Sequence, residues 1–498
     1  MSVFVSIQLD KSKDEPLYIQ LYLQLRQMIE QGRLKPDEKL PPIRKLSEQL
    51  KINSVTVVNA YKLLEQHGYV YSRVGSGTYI SDNLHNQLHQ LEPPETEPFR
   101  EEEFRLMDQG QIHIRSNTIN FASATPTPEL FPVEDFKNVL NEVLDRDGGF
   151  AFGYQESQGF FPLRESITAY LRYYGIEKTP ECIQIISGAQ QGIDVLAKAL
   201  LNFGDCLVVE SPTYTGAIAA FRSRGAKIIE VPIEKDGINL EVLEKKLKKF
   251  HPKFIYVMPN FQNPTGYCYS LKKRKALLQL AKQYDTLIIE DDYLSELNFS
   301  RKKLAPLKAI DHYNKVVYIK SFSKIFMPGL RLAFLVLPEQ IYNDVLAAKH
   351  TSDISTSGLT QRAFDLYLRK GIWQKHIQYM QKIYKERYKV MSEALENFMP
   401  KEIDYHLPEG GLTFWLALPE GCSSNKLYLE CREKDVVFVP GSVFYSTQKD
   451  SRYFRLSFAA VYPEEIKKGI RILGNTINHL LKNNTKNKKG TNYYTPLL

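Results

Sequence analysis

A break in composition constrains this chain most. Residues 85–103, HNQLHQLEPPETEPFREEE, are rich in His, Gln, Pro and Glu and poor in large apolar side chains. Such a stretch cannot bury enough apolar surface to offset the entropy of ordering it, and its prolines keep it semi-extended. A linker over 83–115 therefore divides a short unit, residues 13–82, from a long one, residues 116–481, with a polar, basic and mobile tail expected over 482–498. The total of 498 residues fits more than one domain.

In the short unit, Leu17, Leu21, Leu25 and Met28 recur at helical spacing, and Gly32 offers a left-handed stop. Pro41 and Pro42 then open a helix whose apolar side is Ile43, Leu46 and Leu50. Asn53 or Ser54 can cap a third helix with Val57, Tyr61 and Leu64 inward, ending at Gly68. Tyr69–Arg73, a glycine turn at Gly75-Ser76-Gly77 and Thr78–Ile80 read as a hairpin. Helix, helix, turn, helix, hairpin is the order of a winged helix-turn-helix, an α+β domain whose third helix enters the major groove of duplex DNA. Ser54, Thr56 and Asn59 would then face bases. Arg44, Arg73 and the wing glycines Gly75 and Gly77 would meet phosphates or a groove edge. A small helical dimerisation module with a solvated basic face fits the same pattern.

The long unit alternates apolar β-like runs with helical patterns, which argues for an α/β domain with a mainly parallel sheet covered by helices. Four clusters fall at the ends of its expected strands. Ser321-Phe322-Ser323-Lys324 follows Val316–Ile319. A desolvated lysine there can form a Schiff base with an aldehyde cofactor, while Ser321, Ser323 and Arg331 hold a phosphate. Glu290-Asp291-Asp292-Tyr293 ends Thr286–Glu290, where ligands sit in an open α/β sheet. A carboxylate at Asp291 can keep a pyridine nitrogen protonated, making the ring an electron sink. Asn263, in Asn260-Phe261-Gln262-Asn263-Pro264-Thr265-Gly266 after Phe254–Met258, and Tyr293 can reach a ring oxygen. Ser187-Gly188-Ala189-Gln190-Gln191-Gly192 leads into a helix over Ile193–Leu200, and backbone N–H groups at a helix start bind phosphate. Taken singly, each cluster is as well explained as a turn, a solvated loop or common surface sequence.

Two resemblances join these readings. LPPIRKLSEQLKINSVTVVNAYKLLEQHGYVYSRVGSGTYIS resembles the DNA-binding domain of GntR-type regulators, with the Leu-Pro-x-x-Arg start, the Thr-Val helix and the Gly-x-Gly-Thr wing. It departs at Ser54, where the family often has Arg, so readout there should differ. From about Asn120 to Asn478 the chain is similar to fold-type I, class I/II aminotransferases. That resemblance implies pyridoxal 5'-phosphate as cofactor, with Lys324 as the Schiff-base lysine and Asp291 on the pyridine nitrogen. It also implies Asn263 and Tyr293 on the ring oxygen, and Ser321, Ser323, Arg331 and the Ala189–Gln190 backbone on the phosphate. Tyr214, in Ser-Pro-Thr-Tyr, matches the aromatic that stacks on the ring. Tyr154 resembles the tyrosine that reaches the phosphate from the other subunit of a dimer. Arg455, in Phe-Arg-Leu-Ser-Phe, matches the arginine that grips a substrate carboxylate. A packed tyrosine and a strand-edge ion pair are the ordinary readings of the last two. Ala333 stands where the family often has Gly.

The layout as a whole resembles MocR/GabR-type transcriptional regulators. It implies a homodimer that binds a double-stranded DNA operator and senses a small amino compound, or pyridoxal phosphate itself, through an aldimine at Lys324. A working aminotransferase carrying a DNA-binding appendage is the competing expectation. A formal net charge of +8 suits a nucleic-acid partner without establishing one. The five scattered cysteines lack Cys-x-x-Cys spacing, no signal-peptide pattern opens the chain, and no apolar run approaches ~20 residues. These features predict no metal site, no membrane span and a cytoplasmic location.

Overall fold

The computed structural model describes residues 7, 9–10, 16–30, 32–50, 52–66, 69–73, 77–81, 117–300, 305–448 and 450–490. The chain forms two compact units, Met1–Glu101 and Glu102–Leu498.

The first unit contains α1 (Leu17–Glu30), α2 (Ile43–Leu50), α3 (Ser54–Gln66), β1 (Val70–Arg73) and β2 (Gly77–Ile80). Leu21, Leu25, Met28, Leu46, Val57, Tyr61, Leu64, Val70 and Ile80 make its core. Gly32 takes φ 68°, and the N–H groups of Arg33 and Leu34 return to the Met28 carbonyl, so α1 stops there. Asn53, rather than Ser54, caps α3: its Oδ1 accepts from the Val55 N–H at 2.9 Å. The buried Tyr61 hydroxyl donates to the Pro41 carbonyl at 2.8 Å and ties α3 to the turn before α2. β1 and β2 pair antiparallel from Val70 opposite Ile80 to Arg73 opposite Gly77. Lys39 adds a bridge to Tyr79 that sequence periodicity did not reveal. Ile43, expected inward, is 37% exposed. As the first residue of a short helix it falls outside the buried stripe, which is Leu46 and Ser47. Gly68, Gly75 and the Arg73 side chain lie outside the described residues.

The second unit is built on an eight-stranded sheet. With β3 (Ile119–Asn120) elsewhere, the sheet comprises β4 (Ile183–Ile186), β5 (Cys206–Ser211), β6 (Lys227–Glu234), β7 (Gly237–Ile238), β8 (Phe254–Val257), β9 (Leu287–Asp292), β10 (Val316–Ser321) and β11 (Ala333–Val336). Its order is β4-β11-β10-β9-β8-β5-β6-β7. β10, β9, β8, β5 and β6 run parallel, whereas β11 and the edge strand β7 are antiparallel to their neighbours. The central strands β4, β8, β10 and β11 are buried along their whole length, as parallel sheets covered on both faces require, whereas β6 near the edge alternates buried and exposed residues. A smaller four-stranded sheet joins β12 (Asp404–Tyr405), β13 (Thr413–Ala417), β15 (Val439–Pro440) and β16 (Tyr453–Ser457), while β14 (Val436–Val437) pairs with β3. The last helix spans Pro463–Gly490 and so continues past Leu481 into the stretch expected as tail. Among the described residues no helix is long and apolar enough to cross a membrane.

Candidate functional site

On the first unit, α3 turns Val57, Tyr61 and Leu64 inward, and on its opposite side Ser54 and Asn59 are exposed and Thr56 is half-buried among the described residues. The Arg44 side chain is exposed and sits 3.7 Å from Glu48, an i,i+4 pair too solvated to hold it firmly. Gly77 has φ 125°, and a Cβ there would come within 2.7 Å of Lys39 Cε, so this wing position accepts glycine alone without displacement.

On the second unit, the four clusters converge at one edge of the large sheet. β4, β5, β8, β9 and β10 point the same way, so Ser187–Gln190, Tyr214, Asn263, Asp291–Tyr293 and Ser321–Lys324 all follow or end parallel strands at their carboxyl ends. β9 extends to Asp292, beyond the expected end at Glu290, which places Asp291 inside the sheet.

Alternation along β9 sends the two aspartates to opposite faces. Asp292 meets Lys320 Nζ at 3.2 Å, the Tyr318 hydroxyl at 2.7 Å and Ser295; Lys320 also pairs with Glu296 at 2.6 Å. Burial is the strongest single influence and would raise the Asp292 carboxyl, but the Lys320 ammonium and the bonds from Ser295 and Tyr318 together hold it below its usual range. Asp291 makes no ion pair among the described residues. Burial pushes its carboxyl up to about 6 against the Tyr256 hydroxyl bond, which works the other way, and the Lys320 ammonium lowers it only from a distance. Its Oδ2 accepts from Tyr256 at 2.6 Å, and its Oδ1 is buried without any partner. A buried carboxylate oxygen left open in this way needs a donor from a ligand.

Lys324 is half-buried, with its Nζ 3.3 Å from Thr125 Oγ1. Burial, then the positive charges of Arg455 and Arg331, lower its ammonium to about 8. Burial raises the Tyr214 hydroxyl to about 12, with Asp291 adding and Arg455 and Arg331 opposing. Its hydroxyl donates to Gln190 Oε1 at 3.2 Å. The helix expected from Ile193 begins instead at Ala189, so Ala189 and Gln190 supply its first free N–H groups. Gly188, at φ 92°, caps it; a Cβ there would lie 2.3 Å from Arg331 Nη2. Arg331, itself left-handed at φ 50°, donates from Nη2 to the Ser187 carbonyl at 3.0 Å. Ser321 is buried and its Oγ accepts from the Ser323 N–H at 3.3 Å. Helix start and arginine thus meet at Ser187–Gly188, an arrangement suited to an anion.

On the other side, Asn263 lies within a turn knitted by Gln262, whose amide bonds Thr265, the Pro212 carbonyl and Glu210. Asn263 Oδ1 accepts from Arg455 Nη1 at 2.9 Å, and Arg455 Nη2 donates to the Ala122 carbonyl at 2.7 Å. Burial lowers the Arg455 guanidinium to about 10, and its Nε is buried and unpaired. The Tyr293 hydroxyl donates to the Phe261 carbonyl at 2.7 Å. Tyr154 stands apart: its side chain is 84% exposed and joins none of these bonds. Sequence reading missed Tyr256, Thr125 and the Ala122 carbonyl, since a tyrosine in an apolar strand and a threonine far upstream carry no motif.

Residues 116–473 match the family aminotransferase class I and II, and residues 17–80 match bacterial regulatory proteins of the gntR family. The kynurenine aminotransferase of Pyrococcus horikoshii, solved in complex with PMP, superposes with a TM-score of 0.72 at 35% identity, over 79% of this chain and 96% of that one. The aromatic-amino-acid aminotransferase 1 of Thermococcus litoralis is 35% identical over 74% of this chain and 89% of its own. The probable rhizopine catabolism regulatory protein MocR of Rhizobium meliloti is 28% identical over 93% of this chain and 94% of its own. The chain belongs to the aminotransferase class I and II family, joined to a gntR-type DNA-binding domain in the arrangement of MocR-type regulators. Its cofactor is pyridoxal phosphate, and the residues present fit that group: an open carboxylate oxygen for the ring nitrogen, a lowered lysine for the aldehyde and a cradle for the phosphate.

Proposed function

We propose that this protein is a homodimeric transcriptional regulator that binds a double-stranded DNA operator and reads an amino compound, or pyridoxal phosphate itself, through Lys324. The observation that carries the reading is the pairing, in one chain, of an open α3 face with a site whose lysine is lowered to about 8 beside an unpartnered Asp291 oxygen. Pyridoxal phosphate, when bound, supplies an aldehyde carbon that exchanges one amine for another. Lys324, lowered to about 8 by burial and two arginines, would supply the amine that binds the aldehyde, and Thr125 Oγ1, 3.3 Å from its Nζ, would hold that amine when it is displaced. Arg455 offers its unpaired Nε to a carboxylate on the effector, while Ser321, Ser323, Arg331 and the Ala189–Gln190 backbone keep the phosphate fixed. Asp291 would accept a hydrogen bond from the protonated ring nitrogen; Asn263 and Tyr293 would face the ring oxygen, and Tyr214 would stack on the ring. The exposed Tyr154 serves the site of a second copy, which supports the dimer.

On the DNA side, Ser54, Thr56 and Asn59 read bases, and Arg44, Arg73, Gly75 and Gly77 approach the backbone. For a site 99% empty to become 99% filled, the effector must favour one state by about 5.5 kcal/mol. A tenfold change in affinity needs only about 1.4 kcal/mol.

The test uses the full chain loaded with pyridoxal phosphate and a duplex selected from a random-sequence pool for tight binding. Adding a panel of amino acids and amines should change the affinity of the wild type for that duplex at least tenfold for one compound, and leave Lys324→Ala unchanged. An equal response in Lys324→Ala would remove Lys324 from sensing. Steady turnover of an amino donor with no effect on DNA affinity would favour transamination instead.

A further inference from the structure

The two aspartates that end β9 differ in a way the sequence conceals. Asp292 faces Lys320, Tyr318 and Ser295 and has its charge matched by a cation. Asp291, on the opposite face, has one hydrogen bond, from the hydroxyl of Tyr256 to Oδ2, and an open Oδ1. Tyr256 lies on β8 opposite Ile289 of β9, so its side chain rises on the face that also carries residue 291, two positions on. The phenol ring is fully buried and packs edge-on against Phe221 at 5.6 Å and 72°. From that packed position the hydroxyl donates to Asp291 Oδ2 at 2.6 Å.

We propose that Tyr256 is a positioning residue that holds Asp291 as a carboxylate, oriented with Oδ1 toward the pyridine nitrogen of the cofactor, and thereby keeps the ring-nitrogen proton on the ring. The proposal rests on the reading of Asp291 as the partner of that nitrogen. The physical argument is a contest for one proton. A buried carboxylate with no cation beside it is a strong base toward a ring N–H, and the proton moves to the acid if the carboxylate is not otherwise stabilised. A donor on Oδ2 supplies that stabilisation without competing for Oδ1, since the two oxygens accept separately. A cation in the same place would overshoot, leaving too weak an acceptor to hold the nitrogen. A neutral tyrosine hydroxyl is the intermediate choice, and the cation is kept on the other face with Asp292. The burial that pushes Asp291 up to about 6 agrees with this division of labour. Tyr256 never touches the reacting carbon, so it acts only through Asp291.

The experiment loads the full-length protein with pyridoxal phosphate labelled with ¹⁵N in the ring and compares wild type, Tyr256→Phe and Asp291→Asn by NMR. A fourth sample carries 3-fluorotyrosine, a more acidic donor, at position 256. Phenylalanine keeps the ring and its packing, so Tyr256→Phe removes only the hydroxyl. The expected result is a protonated ring nitrogen in the wild type and a shift in Tyr256→Phe toward the unprotonated range that Asp291→Asn defines. The fluorinated protein should not shift in that direction. Retention of pyridoxal phosphate by Tyr256→Phe should weaken about 10-fold, the loss of one hydrogen bond to a charged group. If Asp291→Asn moves the resonance but Tyr256→Phe leaves it at the wild-type position, the role of Tyr256 is overturned and that of Asp291 stands. If Asp291→Asn also leaves it unmoved, the reading of Asp291 falls and takes this proposal with it. Should Tyr256→Phe fail to fold, the fluorinated protein decides: a resonance shifted in the unprotonated direction overturns the proposal.

Discussion

The lowered ammonium of Lys324 makes a kinetic prediction for the cofactor-free protein. A lysine must be neutral to attack an aldehyde, and an ordinary lysine, at 10.5, is neutral in only about one copy in 3,000 at pH 7. At about 8, to which burial first and then Arg455 and Arg331 lower it, about a tenth of copies are neutral at pH 7. The ratio of these fractions is about 300-fold, equivalent to about 3.4 kcal/mol. Stopped-flow mixing of cofactor-free protein with pyridoxal phosphate, followed by growth of the visible band, reads this directly. The rate should rise about tenfold per pH unit below 8 and level off above it. Replacing Arg455 by Met removes one of the two cations but leaves the burial. The levelling point should then move upward without reaching 10.5. A rate that still climbs tenfold per unit between pH 9 and 10 would refute the account of how this lysine is activated.

Further expectations concern the cradle, the buried acids and α3. Gly188→Ala should push Arg331 off the Ser187 carbonyl, because the new Cβ would lie 2.3 Å from Nη2. It should weaken binding of pyridoxal phosphate about tenfold or more while leaving the weaker binding of pyridoxal unchanged, as titration of both can check. Glu290 is fully buried and bonded by the N–H groups of Leu307 and Lys308, and burial raises its carboxyl to about 7. A carboxyl raised on folding contributes stability at low pH that is lost as pH rises through the folded value. Unfolding curves at pH 5 and pH 8 should therefore shift the balance by about 2 kcal/mol in favour of Glu290→Gln, and a gap independent of pH would contradict it. Asn53→Ala should cost the first unit about 1 kcal/mol by removing the cap of α3, with Asn53→Ser recovering most of it in thermal unfolding.

The sequence displayed the strand ends and hid what joins them. Lys324, Asp291 and Asn263 were legible because each sits in a short motif directly after an apolar run, and parallel strands bring such ends to one edge. The bond from Tyr256 to Asp291 spans 35 positions, that from Arg455 to Asn263 spans 192 and that from Lys324 to Thr125 spans 199. Contacts at such separations are set by sheet order, which periodicity does not encode. The early start of the helix at Ala189 was missed for a local reason: Gln190, Gln191 and Gly192 are not apolar, so the periodic signal began only at Ile193. In the first unit the apolar stripe of α3 was plain, whereas Ile43 was assigned inward on spacing alone and proved exposed.

Sensing through this site requires the amine of Lys324 to meet pyridoxal phosphate in a protein that also binds DNA. Borohydride reduction of the full chain after loading with pyridoxal phosphate, followed by peptide mapping, tests this most directly. The account predicts that the cofactor is fixed to the peptide bearing Lys324, that Lys324→Ala takes up none covalently, and that both proteins bind the selected duplex. Label on another lysine, or none on a protein that still binds duplex DNA, would contradict the proposed sensing site.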